Sequence, residues 1–338
     1  MALLEVHDLD VEYLVGDSIV RAVRNVFFTL DEGKNLGIVG ESGCGKTTVA
    51  KAIMRLLPRN GRVAGGRVVF EGRDILRLED AQMRSLRWEK LSTIPQSAMN
   101  TLDPVYRVGD QLCESILTHR RIPRSKAWKR SVELAELVGL EGKRLANYPH
   151  QLSGGMKQRF AIAMALSLDP SLIIADEPTT ALDVITQDRI LAKIKELQEG
   201  LRFAMIYISH DIGVIAEVCD AMMVMYAGRI VEYGKTRELF ADTYHPYTLG
   251  LKNAFPSIQA DRRLISIPGF PPSLVGIADE GCMFRPRCPF AIEGCGTRVP
   301  PMAEVRPGHW VACLRTDDVG LLREAAQEQA TWLESAVI

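Results

Sequence analysis

Residues Gly40-Glu41-Ser42-Gly43-Cys44-Gly45-Lys46-Thr47 have the types and spacing of a loop that holds phosphates, G-x-x-x-x-G-K-[ST]. Glycines let successive backbone N–H groups point into one concavity, and a helix N-terminus behind them favours negative charge. Lys46 adds a mobile cation for the β- and γ-phosphates, and Thr47 offers a hydroxyl to Mg2+. Gly40, Ser42, Gly43, Cys44, Gly45 and Thr48 complete the expected nucleotide cradle. Farther along, the apolar run Leu172-Ile173-Ile174-Ala175 ends in Asp176, where a carboxylate reaches a phosphate-bound magnesium from a second side, and Glu177 follows directly. A different chemistry lies near the C-terminus. Of seven cysteines, Cys282, Cys288, Cys295 and Cys313 crowd into one segment with the spacing C-x5-C-x6-C-x17-C. That is not the paired C-x2-C pattern of zinc ribbons. Four thiolates bind zinc or an iron–sulfur cluster, or stay unliganded as buried thiols, and His309 is a further zinc ligand to consider.

The elements that must position these residues follow from pattern. Leu36-Gly37-Ile38-Val39-Gly40 reads as a buried strand running straight into the loop, and a helix continues from Lys46 to Met54 until Pro58 stops it. Alternation from Leu4 to about Tyr13, and again from Val20 to Leu30, predicts a peripheral antiparallel β region. Ser92-Thr93-Ile94-Pro95 predicts a strand ended by Gln96. Residues 97–166 read as a helical subdomain, with apolar spacing of three and four over Trp128–Val138. Leu172–Ala175 and Phe203–Ser209 are compact apolar runs of the kind found in parallel sheets. Met222–Tyr226 and Arg229–Tyr233 flank Ala227-Gly228 as a hairpin. The expected fold is α/β: a P-loop NTPase core with a parallel sheet, an antiparallel β subdomain, an inserted helical subdomain and a Cys-rich extension. The boundary is set at residue 240, with 241–338 a separate Pro-, Gly- and Cys-rich tail ending in a helix over about 318–335.

Composition narrows the partners. With 41 basic against 42 acidic residues the net charge is −1, so nothing draws the chain to nucleic acid as a whole. The basic cluster Arg120–Lys126 reads as a solvated helical face. No apolar run reaches the ~18–20 residues that span a bilayer. Met-Ala-Leu-Leu-Glu-Val carries no leader pattern and already alternates like a strand. The expectation is a cytosolic protein whose membrane work, if any, needs a partner supplying the helices.

Leu152-Ser153-Gly154-Gly155-Met156, falling between the phosphate loop and Asp176-Glu177, gives the chain an order of motifs that resembles the ATP-binding-cassette (ABC) ATPases. The resemblance implies that Glu177 polarises the attacking water, and that Gln96 is the glutamine that touches Mg2+ and senses the γ-phosphate. His210, in Ser209-His210-Asp211, resembles the switch histidine, and Asp183, in Ala181-Leu182-Asp183, matches the D-loop that crosses a dimer interface. Tyr13 resembles the aromatic that stacks on adenine. Ser153, Gly154 and Gly155 would meet the γ-phosphate of a partner subunit's ATP, so two cassettes must sandwich the nucleotide head-to-tail. Met156 stands where the commonest pattern has Gln.

The tail sharpens the resemblance. His245-Pro246-Tyr247-Thr248, Ile267-Pro268-Gly269-Phe270-Pro271-Pro272-Ser273-Leu274 and Cys282-Met283-Phe284-Arg285-Pro286-Arg287-Cys288-Pro289 resemble the D-type ATPase subunit of oligopeptide/dipeptide importers. That family implies two integral-membrane permeases, a second ABC ATPase that is commonly a paralogue, an external solute-binding protein, and a peripheral position on the cytoplasmic face of the inner membrane. It also implies that Cys282, Cys288, Cys295 and Cys313 hold a 4Fe-4S cluster, with zinc the alternative. Gln96-Ser97-Ala98-Met99-Asn100 departs from the Gln-Asp-Pro usual in this segment, which faces the permease. Relatives with such a tail import peptides, nickel or metal chelates, glutathione or oligosaccharides. The other class is the soluble ABC ATPase that transports nothing; the long coiled-coil insertion of its DNA-repair types and the two cassettes of its translation types are both missing from this sequence.

Overall fold

Uninterrupted apolar runs become the buried strands around which this chain is built. The structure is a computed structural model, and it describes residues 1–96, 101–179, 182–254, 265–275 and 280–334. Residues 97–100, the end of the segment noted for its departure from Gln-Asp-Pro, lie outside the described residues, as do 180 and 181 beside the expected D-loop. Two compact units make up the chain: Met1–Leu4, Thr29–Asn35 and Val69–Ile208 form one; Glu5–Phe28, Leu36–Val68 and Ser209–Ile338 form the other.

In the first unit Leu91–Ile94, Leu172–Asp176 and Ala204–Ser209 pair in parallel, with Leu91 opposite Leu172 and Leu172 opposite Ala204. Every residue of Leu172–Asp176 is buried, which is why its sequence shows no alternation. The expected helical insertion is present as Val108–Leu117, Arg124–Leu137 and Gly154–Ala165. Val108, Leu112, Cys113 and Ile116 form one buried stripe, and Ala127, Ser131, Leu134 and Ala135 form another. Close approach of these helices depends on Gly109, where an added Cβ would lie 2.8 Å from the Trp128 ring.

In the second unit Asn35–Val39 pairs in parallel with Ala221–Tyr226, which turns at Ala227-Gly228 and returns antiparallel as Arg229–Lys235. Ala227 and Gly228 both have positive φ, 47° and 83°, as a two-residue hairpin requires. Ala2–Val15 and Ser18–Asp31 are the long strands anticipated at the N-terminus.

The tail departs from expectation in two places. His309–Val311 pairs antiparallel with Arg229–Lys235 and Ala303–Arg306 pairs antiparallel with His309–Val311, so part of the tail continues the sheet that carries the phosphate loop. The junction is fixed by Glu232, which is 0% exposed: its carboxylate accepts hydrogen bonds from Tyr244 N (2.8 Å), His245 N (3.0 Å) and His309 Nε2 (2.9 Å). The single helix expected over 318–335 is instead two, Val319–Ala325 and Gln329–Glu334. The carbonyl of Ala326 accepts from Trp332 Nε1 (2.9 Å) and Asn253 Nδ2 (2.6 Å), and these side chains take the place of a continuing helical turn. Among the described residues no helix is long and apolar enough to cross a membrane.

Candidate functional site

The phosphate loop leaves the buried strand Asn35–Val39 and enters the helix Lys46–Ile53. Two glycines are set by geometry. Gly45 has φ 106° and its missing Cβ would sit 2.4 Å from Ala22 O, while Gly40, at φ 153°, lies against Met225 O at 2.3 Å on the same measure. The hairpin turn supports the loop from behind, with Gly228 N donating to Cys44 O (3.0 Å). Lys46 is buried, and its ammonium donates to Gly40 O (2.7 Å) and Glu41 O (2.9 Å). These are the same loop's own carbonyls, so phosphate oxygens must compete with them for the ammonium. Cys44 is also buried, and burial raises its thiol pKa despite the neighbouring Lys46.

Tyr13, on the strand Ala2–Val15, shares a hydrogen bond of 3.3 Å with Thr48 Oγ1 and packs against Gly61. The structure therefore brings the expected base-stacking ring to the start of the P-loop helix. His210 is exposed between the strand Ala204–Ser209 and the helix Ile212–Val218. Asp211 caps that helix by accepting from Gly213 N (2.8 Å) and Val214 N (3.3 Å), which fixes the turn that presents the imidazole.

In the first unit Asp176 is buried at the end of its strand, and Gln96 Nε2 donates to Glu177 Oε2 at 3.0 Å. Glu177 has φ 49°, a left-handed conformation rare for a non-glycine residue, and its N–H is held by Ile208 O at 2.9 Å. Such strain concentrates at functional positions. Ser153 caps the helix Gly154–Ala165, its Oγ accepting from Met156 N at 3.4 Å. Asp183 caps Val184–Leu201 by accepting from Thr186 N at 2.9 Å, and this bond holds its carboxyl below the usual range. Ser153, Gly154, Gly155 and Asp183 line one groove of about 500 Å3, together with Arg144, Arg159 and Arg189. Two motifs assigned separately in the sequence thus share a single recess, lined by three arginines and the carboxylates of Glu141 and Asp183, beside two helix N-termini.

Cys282, Cys288, Cys295 and Cys313 line one pocket with His245, Phe284, Phe290, Arg285 and Arg315. Burial raises the thiol pKa values of Cys282 and Cys288, and that of Cys313 to about 11, so these thiols hold their protons unless a metal displaces them. Among the described residues no three His, Cys, Asp or Glu side chains are grouped so that they could hold a metal ion. His309, considered as a zinc ligand, is buried against Glu232 instead.

Sequence reading missed the residues that brace the loop from the tail. Arg287 donates to both carboxylate oxygens of Glu41, Nη1 at 2.6 Å and Nη2 at 2.8 Å, and Glu41 N–H donates to Tyr247 Oη at 2.9 Å. Both tail residues stand in segments noticed for their resemblance, but no spacing rule connects positions 246 apart.

Comparison with known proteins identifies the family. Residues 23–180 match the ABC transporter family, and residues 231–295 match the oligopeptide/dipeptide transporter C-terminal region. The chain is 46% identical to a probable peptide ABC transporter ATP-binding protein of Sinorhizobium fredii, over 94% of this chain and 96% of the relative. It is also 46% identical to the oligopeptide transport ATP-binding protein OppD of Salmonella typhimurium, over 93% of each. Among solved structures, the ATP-binding cassette MJ0796 in a dimeric post-hydrolysis state with ADP and Pi superposes with TM-score 0.63 at 28% identity, covering 69% of this chain and 99% of that one. A phosphate loop, an Asp-Glu strand end, a Ser-Gly-Gly helix start and the matched tail place this chain in the family of ATP-binding subunits of oligopeptide/dipeptide ABC transporters.

Proposed function

We propose that this chain is the ATP-hydrolysing subunit of a peptide importer and that it drives uptake through membrane permeases. The observation that carries this reading is the phosphate cradle of Gly40–Thr47 in a chain that matches peptide-transport ATPases over nearly its whole length. Lys46 leaves its loop carbonyls for the β- and γ-phosphates, and the loop's N–H groups hold the remaining oxygens. Thr47, Asp176 and Gln96 would hold Mg2+, which would offset phosphate charge, while Tyr13 would stack on the base. Glu177 accepts the proton of the attacking water, and His210 holds that water and the γ-phosphate in line. Its hydrogen bond to Gln96 supports an oriented Glu177.

A second ATPase, a paralogue, completes the site by offering Ser153, Gly154 and Gly155 of one subunit to the nucleotide of the other. The arginine-lined groove beside Asp183 has room for that phosphate tail. Two permeases and an external binding protein complete the assembly, which sits peripherally on the cytoplasmic face of the inner membrane. Residues 1–240 serve as the cassette, its helical part at 97–166, and 241–338 as the tail. A groove of about 590 Å3 lined by Trp88, Tyr106, Gln111, His119 and Met164 suits a permease segment, since exposed Val105 and Tyr106 lie beside it.

For the tail's four thiols, which line one pocket though they are not grouped as ligands of a single ion, the family resemblance supports a 4Fe-4S cluster. Cys282, Cys288, Cys295 and Cys313 would hold it, and Arg285 and Arg315 offset its negative charge. One zinc ion would need the sulfurs within about 2.3 Å of a single point, whereas a cluster is met by thiols around a larger body. When bound, it supplies cross-links to a segment poor in regular structure. Two measurements test the reading. Co-expressed with its permeases, the chain should support ATP-dependent uptake of a labelled peptide, and uptake unchanged by its deletion would refute the transport role. Anaerobically purified protein should contain about four irons and four sulfides per chain; zinc or no metal would remove the cluster.

A further inference from the structure

Glu41 is the second residue of the phosphate loop, and its carboxylate is the only acidic side chain between Gly40 and Thr48. A carboxylate in this position opposes the approach of a triphosphate. In this structure it is met by a guanidinium from the far end of the chain. Arg287 forms a two-pronged bond to both oxygens of Glu41, and its own side chain is only 6% exposed. The fork is aimed by two further bonds, Nε to Pro268 O (2.9 Å) and Nη1 to Tyr226 Oη (3.4 Å). Tyr226, Tyr247 and Phe284 pack on one another with ring centroids 4.7–5.3 Å apart, and the guanidinium lies 5.9 Å from the Tyr226 ring centroid. Glu41 is thus gripped at three points: its carbonyl by Lys46, its N–H by Tyr247 and its carboxylate by Arg287. Only the first grip is given up when Lys46 turns to phosphate.

We propose that Arg287 is a positioning residue for ATP: from the turn that carries the cysteine cluster it fixes the first half of the phosphate loop and cancels the charge of Glu41. The inference rests on the ATPase reading above, and it adds that the tail acts on nucleotide affinity rather than only appending a folded unit. Arg287 belongs to the short 3-10 turn Arg285–Arg287, immediately before Cys288, so the order of that turn is conveyed to the loop. A fork bonded bidentately is geometrically selective, and lysine replaces it poorly.

The test is a charge-reversion cycle on the full chain, reading KM and kcat for ATP hydrolysis in assembly with its second ATPase, together with binding of ATP and ADP by the chain itself. Arg287→Gln leaves Glu41 uncompensated. It should raise KM for ATP about tenfold with kcat within about twofold, and weaken ATP more than the less charged ADP. Adding Glu41→Gln removes the repelling charge and should return KM to within about threefold of the parent, while Arg287→Lys should fall between. A purely structural Arg287 would behave otherwise: KM unchanged, or a loss that Glu41→Gln fails to rescue, and either result overturns the proposal. Should Arg287→Gln not fold, the Arg287→Lys and Glu41→Gln single variants decide it, since the clamp requires a raised KM in the first and ADP-to-ATP discrimination altered in the second. A parent protein that binds no nucleotide would instead overturn the ATPase reading itself.

Discussion

Replacing Glu232 by Gln tests whether the tail and the strand Arg229–Lys235 are one cooperative structure. Glu232 is fully buried and accepts three hydrogen bonds, two at Oε1 and one at Oε2. A carboxylate can accept all three, but an amide cannot. Whichever way the Gln side chain is turned, its NH2 faces a backbone or ring donor, leaving at least two buried donors opposed. At about 1–3 kcal/mol for each unsatisfied group, the loss is about 2–6 kcal/mol. That is a large share of the ~5–15 kcal/mol that holds a typical domain together. Equilibrium urea unfolding measures it, and with Trp88 and Trp128 replaced by Phe the fluorescence of Trp310 and Trp332 reports the tail. Glu232→Gln should lower the midpoint of the tail transition markedly, and Glu232→Leu should lower it more by orphaning all three donors. A loss under about 0.5 kcal/mol, the range of ordinary surface substitutions, would refute the assignment of Glu232 as the anchor.

Three other outcomes are expected. Gly45→Ala must push backbone apart, because its Cβ would begin 2.4 Å from Ala22 O, and displacement of this order at a positioned site costs about 10²-fold. Equilibrium binding should show at least tenfold weaker ATP in a folded variant, and wild-type affinity would contradict the loop geometry. Glu177→Gln should keep ATP affinity within about threefold and reduce kcat by about 10²–10⁴, the usual worth of a general base, while stabilising a closed dimer with the second ATPase visible by gel filtration. Unchanged turnover would remove Glu177 from that role. Cys44 should react slowly with iodoacetamide at neutral pH, since burial raises its pKa and little thiolate is present. The rate should climb with alkaline pH and fall when ATP is bound. Labelling at pH 7 as fast as a free thiol, followed by mass spectrometry, is the contrary result.

Local chemistry was legible wherever it is written in consecutive residues. The P-loop needs its glycines in order, so Gly40–Thr47 announced a strand, a tight loop and a helix, and all three are present. Buried parallel strands declared themselves as apolar runs because both faces are covered, as in Leu172–Asp176. The hairpin at Ala227-Gly228 followed from the need for two residues of positive φ. Roles for Gln96 and His210 came from resemblance, since a single Gln or His carries no pattern of its own.

Long-range pairing is what sequence alone left open. Nothing local tells that Ala303–Arg306 and His309–Val311 add to the sheet beside Arg229–Lys235, because short edge strands have few residues with which to show a period. The break after Ala325 depends on a carbonyl claimed by Trp332 and by Asn253 from another helix, and a helical pattern does not reveal such a competitor. Gln96 meets Glu177 across 81 residues of sequence, and Arg287 meets Glu41 across 246. The amino-acid sequence determined which residues can bind a nucleotide, because that requires particular groups at fixed spacing along one backbone. Tertiary structure decided what braces them, because a buried guanidinium finds its carboxylate through the packing of Tyr226, Tyr247 and Phe284 rather than through any periodicity in the chain.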